Sequence, residues 1–421
     1  MTPEIEKRIK AVKAGKVPAA HCLDGKNSRW NYLQISDLFD EVCEKNHPDA
    51  EVLTIIQGTG TVLREESGRE IIYDENSLAN YKFVKKGDFI IHLRSFEGGM
   101  EVANQDGIVS PAYIILRPKI DVSIVYLYAL FHSNQFINQT MAPAVEGARD
   151  GRSVKYDVLK KQKLFLPPLS EQKKIAEILS AQDKIIELKE KLIAEKQRQK
   201  KCLMRILLSD NNCRIKINGT LIDKKKWERK KIGEIAKLSS GSTPRRDDCK
   251  NFKGDVYWLS SGELKQKYIN NTEEKISKNA VESSNLRLYK PGTVVIAMYG
   301  LEAIGIRGTC SILNVECTIS QACMAFTEFK NILNEYFYYW YLFNGYTISA
   351  KYAQGSKQQN LNSDLMSSLI MHCPTLPEQQ AIASVLSSAD EEISLLQRDL
   401  EQEKLKKKSL MQLLLTGLVR V

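Results

Sequence analysis

Leu169-Ser170-Glu171-Gln172-Lys173-Lys174-Ile175-Ala176 and Leu376-Pro377-Glu378-Gln379-Gln380-Ala381-Ile382-Ala383 open two long runs whose reading decides the fold. Adding 207 to a residue number carries the first run onto the second without a gap: Pro167 onto Pro374, Asp183 onto Asp390, Ile186 onto Ile393, Lys200 onto Lys407 and Leu207 onto Leu414. In the first copy Leu179, Ile186, Ile193 and Leu207 fall at steps of seven, with Lys200 in the missing step; in the second, Leu386, Ile393, Leu400 and Leu414 do the same around Lys407. A sustained seven-residue apolar period marks a helix with a narrow seam that packs on another helix. Glu, Lys, Gln and Arg crowd the flanking positions and favour helix. Ser170 reads as an N-cap, Pro377 suits a first turn, and Glu171 and Glu378 complement the positive end of the helix dipole. Each helix of roughly 39 residues would be about 58 Å long. Neither could bury its seam alone, so antiparallel pairing of the two copies within one chain is expected, in preference to a coiled coil between chains.

Four blocks follow: residues 1–165, a first variable block; 166–209, the first repeated helix; 210–372, a second variable block; and 373–421, the second repeated helix. The variable blocks read as mixed α/β (α+β) with more strand than helix. Val52–Ile56, Asp88–Leu93, Ala112–Leu116, Val294–Met298 and Cys323–Phe326 are apolar runs bounded by turn signals such as Lys86-Gly87-Asp88 and Lys290-Pro291-Gly292. An aromatic helix follows in each block, Val125–Phe136 and Tyr336–Phe343, dense enough to be core. The expected architecture is two globular domains joined by a pair of long antiparallel coiled-coil helices in a pseudo-two-fold internal repeat.

The chain has 421 residues, 43% of them hydrophobic, enough for two folded domains. No apolar run of membrane-spanning length occurs, and Met1–Arg8 is charged, without a signal-peptide core. Nine scattered cysteines with no C-x-x-C pair read as free thiols in a reducing cytoplasm, and no metal site is expected. A net charge of +10 is compatible with a phosphate backbone.

Catalytic signatures are missing. There is no G-x-x-x-x-G-K-[ST] loop, no H-E-x-x-H helix and no Asn- or Asp-Pro-Pro-aromatic run. What remains is loops that join glycine to the side chains that read base edges and grip phosphates. The candidate DNA-binding residues are Arg94, Ser95, Gly98, Gly99, Arg149 and Arg152 in the first block, and Thr243, Arg245, Arg246, Ser260, Ser261, Tyr299, Gly300, Lys357, Gln358, Gln359 and Asn360 in the second. Gly147–Arg152 and Gln354–Gln359 lie in corresponding places with different side chains, the pattern expected of two readers tuned to different sequences.

These residues resemble the specificity subunit of a type I restriction–modification system. The likeness rests on the Met1–Ile9 opening, on Asn46-His47-Pro48 with Leu53–Gly58, and on Ser239–Pro244 with Trp258–Leu264 and Ala297–Gly300. It rests also on the P-x-L-x-E-Q helix start at Pro374, echoed from Pro167, and on the ending Leu415–Gly417 with Val419–Val421. The resemblance implies a non-catalytic chain with two target-recognition domains. Each would read one half of a split, asymmetric site in double-stranded DNA, and the helices would measure the unread spacer. It implies two modification subunits, which bind S-adenosylmethionine and methylate a flipped adenine at N6. Two restriction subunits using ATP and Mg complete the nuclease, and this chain binds no cofactor itself. Only the second block has the Ser-Gly-x-Thr-Pro motif, so the two half-sites should differ. Two other readings remain open: an orphan DNA-binding protein, and a coiled-coil adaptor without methyltransferase partners.

Overall fold

The computed structural model describes residues 10, 30–68, 75–91, 99–146, 153–211, 213–299, 305–352 and 360–421. Its contacts divide the chain into two compact units, Met1–Glu190 with Arg398–Val421, and Lys191–Gln397. Each unit therefore joins one variable block to a stretch of both long helices. No helix among the described residues is long and apolar enough to cross a membrane.

In the first unit, strand β1 (Asn31–Gln34) pairs with β6 (Lys163–Leu166), which closes the block. Between them lies a four-stranded antiparallel sheet in the order β2 (Phe39–Val42), β5 (Ile114–Pro118), β3 (Phe89–Ile91), β4 (Met100–Val102). Helix α1 (Ile124–Phe131) follows, its first turn capped by the Ser123 hydroxyl, and helix α2 (Leu169–Leu208) leaves the block. Phe39, Phe89, Leu116, Tyr126, Phe131 and Phe136 fill the core. Burying side chains of this size stabilises a fold by roughly 2–3 kcal/mol each.

The second unit repeats this plan. Strand β7 (Glu228–Lys231) pairs with β15 (Ile370–Cys373) as β1 does with β6. Strands β8 (Lys237–Ser240), β14 (Cys323–Thr327), β11 (Val294–Ala297) and β12 (Cys310–Leu313) take the order of the first sheet, and a fifth strand, Tyr268–Ile269, is added in parallel at the edge. A second sheet here has three strands, β10 (Glu274–Ile276), β9 (Val256–Leu259) and β13 (Thr318–Ile319); in the first unit Leu53–Ile56 pairs in the same way, antiparallel with Gly60–Leu63 and through a parallel bridge from Val52 to Ile108. Helix α3 (Asn334–Tyr352) buries Tyr336 to Tyr341 in the core, as expected of the aromatic run, and helix α4 (Leu376–Leu415) follows. The turns agree as well. Gly87 (φ 94) and Gly292 (φ 90) each place the left-handed residue of a tight turn closed from Asp88 to Lys85 and from Thr293 to Lys290.

Both long helices have 40 residues, so each is about 60 Å long. Within the first unit Gln182 reaches Glu403, Asp183 pairs with Lys407, Lys189 with Asp399 and Glu190 with Lys404. Within the second, Lys196 pairs with Glu392 and Lys200 with Asp390. Over more than a turn the partner numbers fall as the first numbers rise, from 183 with 407 to 189 with 399 in one unit and from 196 with 392 to 200 with 390 in the other, so the paired stretches are antiparallel.

Two expectations need correction. Ser170 is not an N-cap: α2 begins at Leu169, and the Pro168 carbonyl accepts the N–H groups of Glu171 and Gln172. With the Pro168 carbonyl accepting the first bonds of the helix, the helix starts two residues earlier than a Ser170 cap would set it. In α4 the residue before the helix is Thr375, whose hydroxyl and N–H both donate to Glu378. The seam is also shared out. Leu179 and Leu414 join the first unit's core and Leu207 and Leu386 the second's, because the helix ends lie against globular layers. Ile193, Ile393 and Leu400 are buried along the helices, and Ile186 is half-buried.

Candidate nucleic-acid interface

The loops that could read a ligand hang from a frame anchored at the two helix starts. Glu171 is buried and accepts from the Trp30 indole at 3.2 Å and from Arg420 at 2.5 and 2.6 Å. Its counterpart Glu378 accepts from the Trp227 indole at 3.4 Å, from the Asp223 N–H at 2.9 Å, and from Thr375. Gln172 donates to the Pro167 carbonyl and accepts from the Ser123 N–H ahead of α1. Gln379 donates to the Pro374 carbonyl and accepts from the Leu333 N–H ahead of α3. The Glu-Gln pair is thus a bolt: it fastens a long helix to the first strand and to the aromatic helix of its own unit. Sequence reasoning assigned these carboxylates to the helix dipole and missed the bolt, although both tryptophans mark where a block begins.

In the second unit β8 and β11 flank β14 and run parallel to each other, so both end at the same edge of the sheet. Strand β9 ends nearby, since Ser320, three residues before Cys323, donates to the Leu259 carbonyl. This common edge carries Gly241–Arg246 after β8, Ser260 and Ser261 after β9, and Tyr299 after β11; Leu361, next to Asn360, donates to the Met298 carbonyl. The structure therefore gathers Thr243, Arg245, Arg246, Ser260, Ser261, Tyr299 and Asn360 at one edge of the unit, where strands of its two sheets end.

Their side chains have unequal freedom. The Thr243 hydroxyl and the exposed Arg245 guanidinium have no hydrogen-bond or ionic partner among the described residues. Asn360 is half-buried, and its Oδ1 is unpartnered among the described residues. Ser260, by contrast, is engaged: its N–H and hydroxyl both meet Glu263 Oε1, closing a short turn that begins at Ser261. Arg246 is engaged more firmly, with two hydrogen bonds to Glu274 at 3.0 and 2.8 Å. That pairing raises the Arg246 pKa above its ordinary value and lowers the Glu274 carboxyl below its own, chiefly through the hydrogen bonds.

In the first unit Gly99 (φ 85) opens β4, and any Cβ there would run into the Phe131 carbonyl at the end of α1. Close backbone packing accounts for this glycine without a ligand. Arg94, Ser95, Gly98, Arg149 and Arg152, and in the second unit Gly300, Lys357, Gln358 and Gln359, lie outside the described residues. The strands that bound residues 92–98 and 300–304 correspond: β3 and β4 in one unit, β11 and β12 in the other.

A model of the type I restriction modification DNA specificity domain matches residues 27–196 and 224–405. The type I restriction enzyme MjaVIII specificity subunit of Methanocaldococcus jannaschii is 24% identical over 93% of both chains. Among solved structures, the HsdS subunit from Thermoanaerobacter tengcongensis is similar with a TM-score of 0.51 at 14% identity, over 94% of this chain and 100% of that one. A chain from the structural work on complex assembly and conformational transition of the type I R-M system reaches 0.62 at 16% identity, over 93% of this chain and 99% of that one. With two matches to the family model, one in each half, this chain belongs to the type I restriction–modification DNA specificity family.

Proposed function

We propose that the chain is the sequence-reading subunit of a type I restriction–modification complex. Its family is one of DNA-recognition subunits, not catalytic ones. In this reading each unit carries one target-recognition domain, and each domain binds one half of a bipartite, asymmetric duplex site. The paired helices form an antiparallel coiled coil related by a pseudo-two-fold repeat, and their length sets the spacer. Two modification subunits, carrying S-adenosylmethionine, dock on the chain and methylate adenine N6; two restriction subunits supply the ATP- and Mg-dependent nuclease. The complex works in the cytoplasm, and this chain holds no cofactor.

The observation that supports this most is the contrast in the repeat. The bolts at Glu171-Gln172 and Glu378-Gln379 share the tryptophan indole, the proline carbonyl and the N–H ahead of the aromatic helix, whereas the sheet-edge loops differ. A duplicated frame with unlike loops suits two unlike half-sites at a fixed spacing. The test is selection of a randomised duplex library by the full chain, followed by sequencing of the bound fraction. Two short unlike motifs at constant separation are expected. A palindrome, or no enrichment, would overturn the reading.

A further inference from the structure

Arg246 stands in the Gly241–Arg246 loop as an apparent reader, yet its guanidinium, though exposed, is already engaged by groups of the protein. Its guanidinium is held by Glu274 through both terminal nitrogens, a fork-to-fork geometry that fixes orientation as well as position. Its flat face lies over Phe252, 4.7 Å from the ring centroid, and 5.4 Å from that of Trp258. Those rings meet edge-on and belong to a small core with Ile276, Ala280 and Leu286. The rest of the loop is pinned to the same core and sheet. The Trp258 indole donates to the Ser242 carbonyl, Ser242 donates to Ile319, and Gly241 donates to Cys323. A Cβ at Gly241 would strike the carbonyls of Ile319 and Ser320. Asn251 donates to the Arg245 carbonyl at 2.9 Å, and its own carbonyl accepts from Ser277.

Every backbone group named here is tied inward, whereas the Arg245 guanidinium has no hydrogen-bond or ionic partner among the described residues. We infer that Arg246 is a positioning residue, a strut between the loop and strand β10, and that it presents Arg245 as the residue that contacts the second half-site. The inference rests on the proposed DNA-reading role. It separates neighbouring arginines that composition alone cannot tell apart. Arg245 has a braced carbonyl and, among the described residues, a guanidinium with no hydrogen-bond or ionic partner; Arg246 has both terminal nitrogens paired with Glu274 and its guanidinium over Phe252, although its side chain stays 58% exposed.

The experiment compares Arg245→Ala, Arg246→Ala, Glu274→Gln and the Arg246→Ala/Glu274→Gln double variant in the full chain. Each is selected against the randomised duplex library, and affinity is then measured on the duplex selected by the unaltered chain. Should the unaltered chain select no split motif, the functional reading itself fails; given such a motif, the variants test the strut alone. Arg246→Ala and Glu274→Gln should each weaken binding roughly tenfold, and the double variant should be no weaker than either, as expected of one shared contact. Both should blur the second half-site and leave the first intact, which also reports that the chain is folded. Arg245→Ala should relax one or two adjacent positions of the second half-site. The strut is overturned if Glu274→Gln leaves binding unchanged or tighter while Arg246→Ala relaxes a single base pair, because Arg246 would then be the reader. It is overturned equally if either strut variant degrades both half-sites together.

Discussion

Two glutamates of the second unit show how differently one residue type is used. Glu378 is buried and saturated by an indole, a backbone N–H and a threonine, and its contact to tryptophan recurs at Glu171 in the first unit. Glu274 is half-exposed, takes a single guanidinium, and braces a loop whose Ser-Gly-x-Thr-Pro motif the first block lacks. Of these two, the duplicated contact is the desolvated one, where losing a partner is costly. The private Arg246–Glu274 contact lies at the rim, where substitution is tolerated and a new sequence preference can be acquired without loss of the fold.

Thiol chemistry gives the widest separation between frame and rim. Cys323 in β14 and Cys317 beside it are buried, and burial pushes both thiols up to about 12. Cys249, three residues past Arg246, is exposed. Only the thiolate reacts, so at pH 8 the buried pair should be alkylated at least ~1,000-fold more slowly than an ordinary exposed thiol. Time-resolved labelling read by mass spectrometry should show Cys249, Cys43 and Cys202 modified early, and Cys310, Cys317 and Cys323 only on unfolding. Early modification of Cys323 would mean that the frame opens as readily as the rim.

A medium-sized effect tests whether the two bolts are equal. Glu171→Ala strands the Arg420 guanidinium as well as the Trp30 indole, while Glu378→Ala strands only neutral donors. The first should cost about 3 kcal/mol and the second about 2 kcal/mol. Hydrogen exchange in β1 and in β7, compared between the variants, localises each loss to its own unit. Equal losses would show that the Arg420 pair adds nothing beyond the shared hydrogen bonds.

The sequence carried the frame better than the rim, for physical reasons. Helix α2 and α4, the turns at Gly87 and Gly292, and strands such as β11 and β14 follow from period, propensity and glycine, all of them local signals. The bolts were not legible, because Trp30 and Glu171 are 141 residues apart and a glutamate at a helix start already has a local explanation. The Arg246–Glu274 strut was hidden for a related reason. It depends on the register that sets Trp258 opposite Glu274, and polar loops carry no periodic trace of their partners. Candidate residues chosen by type alone therefore mixed free groups such as Arg245 with engaged ones such as Arg246 and Ser260.

The smallest effect concerns the lysines that interrupt the helix seams. Lys200 pairs with Asp390 and Lys407 with Asp183, both at 2.5 Å, so the repeat makes them geometric equivalents. Their surroundings differ. Lys200 is 18% exposed, lies 5.8 Å from the Tyr339 ring centroid, and shares Asp390 with the Tyr339 hydroxyl. Lys407 is 34% exposed and its partner 53%. Exposed pairs contribute ~0–1 kcal/mol and are screened by salt. Lys407→Ala should therefore cost no more than about 0.5 kcal/mol, vanishing in 1 M salt, where the screening length is only about 3 Å. Lys200→Ala should cost about 1 kcal/mol and keep part of that cost in salt, since its aliphatic stem and the tyrosine hydroxyl network are less accessible to ions. Denaturant melts of both variants at low and high salt measure the difference. If the two costs and their salt dependence coincide, the helix pair is duplicated in energy as well as geometry, and the divergence between the halves begins only beyond the bolts.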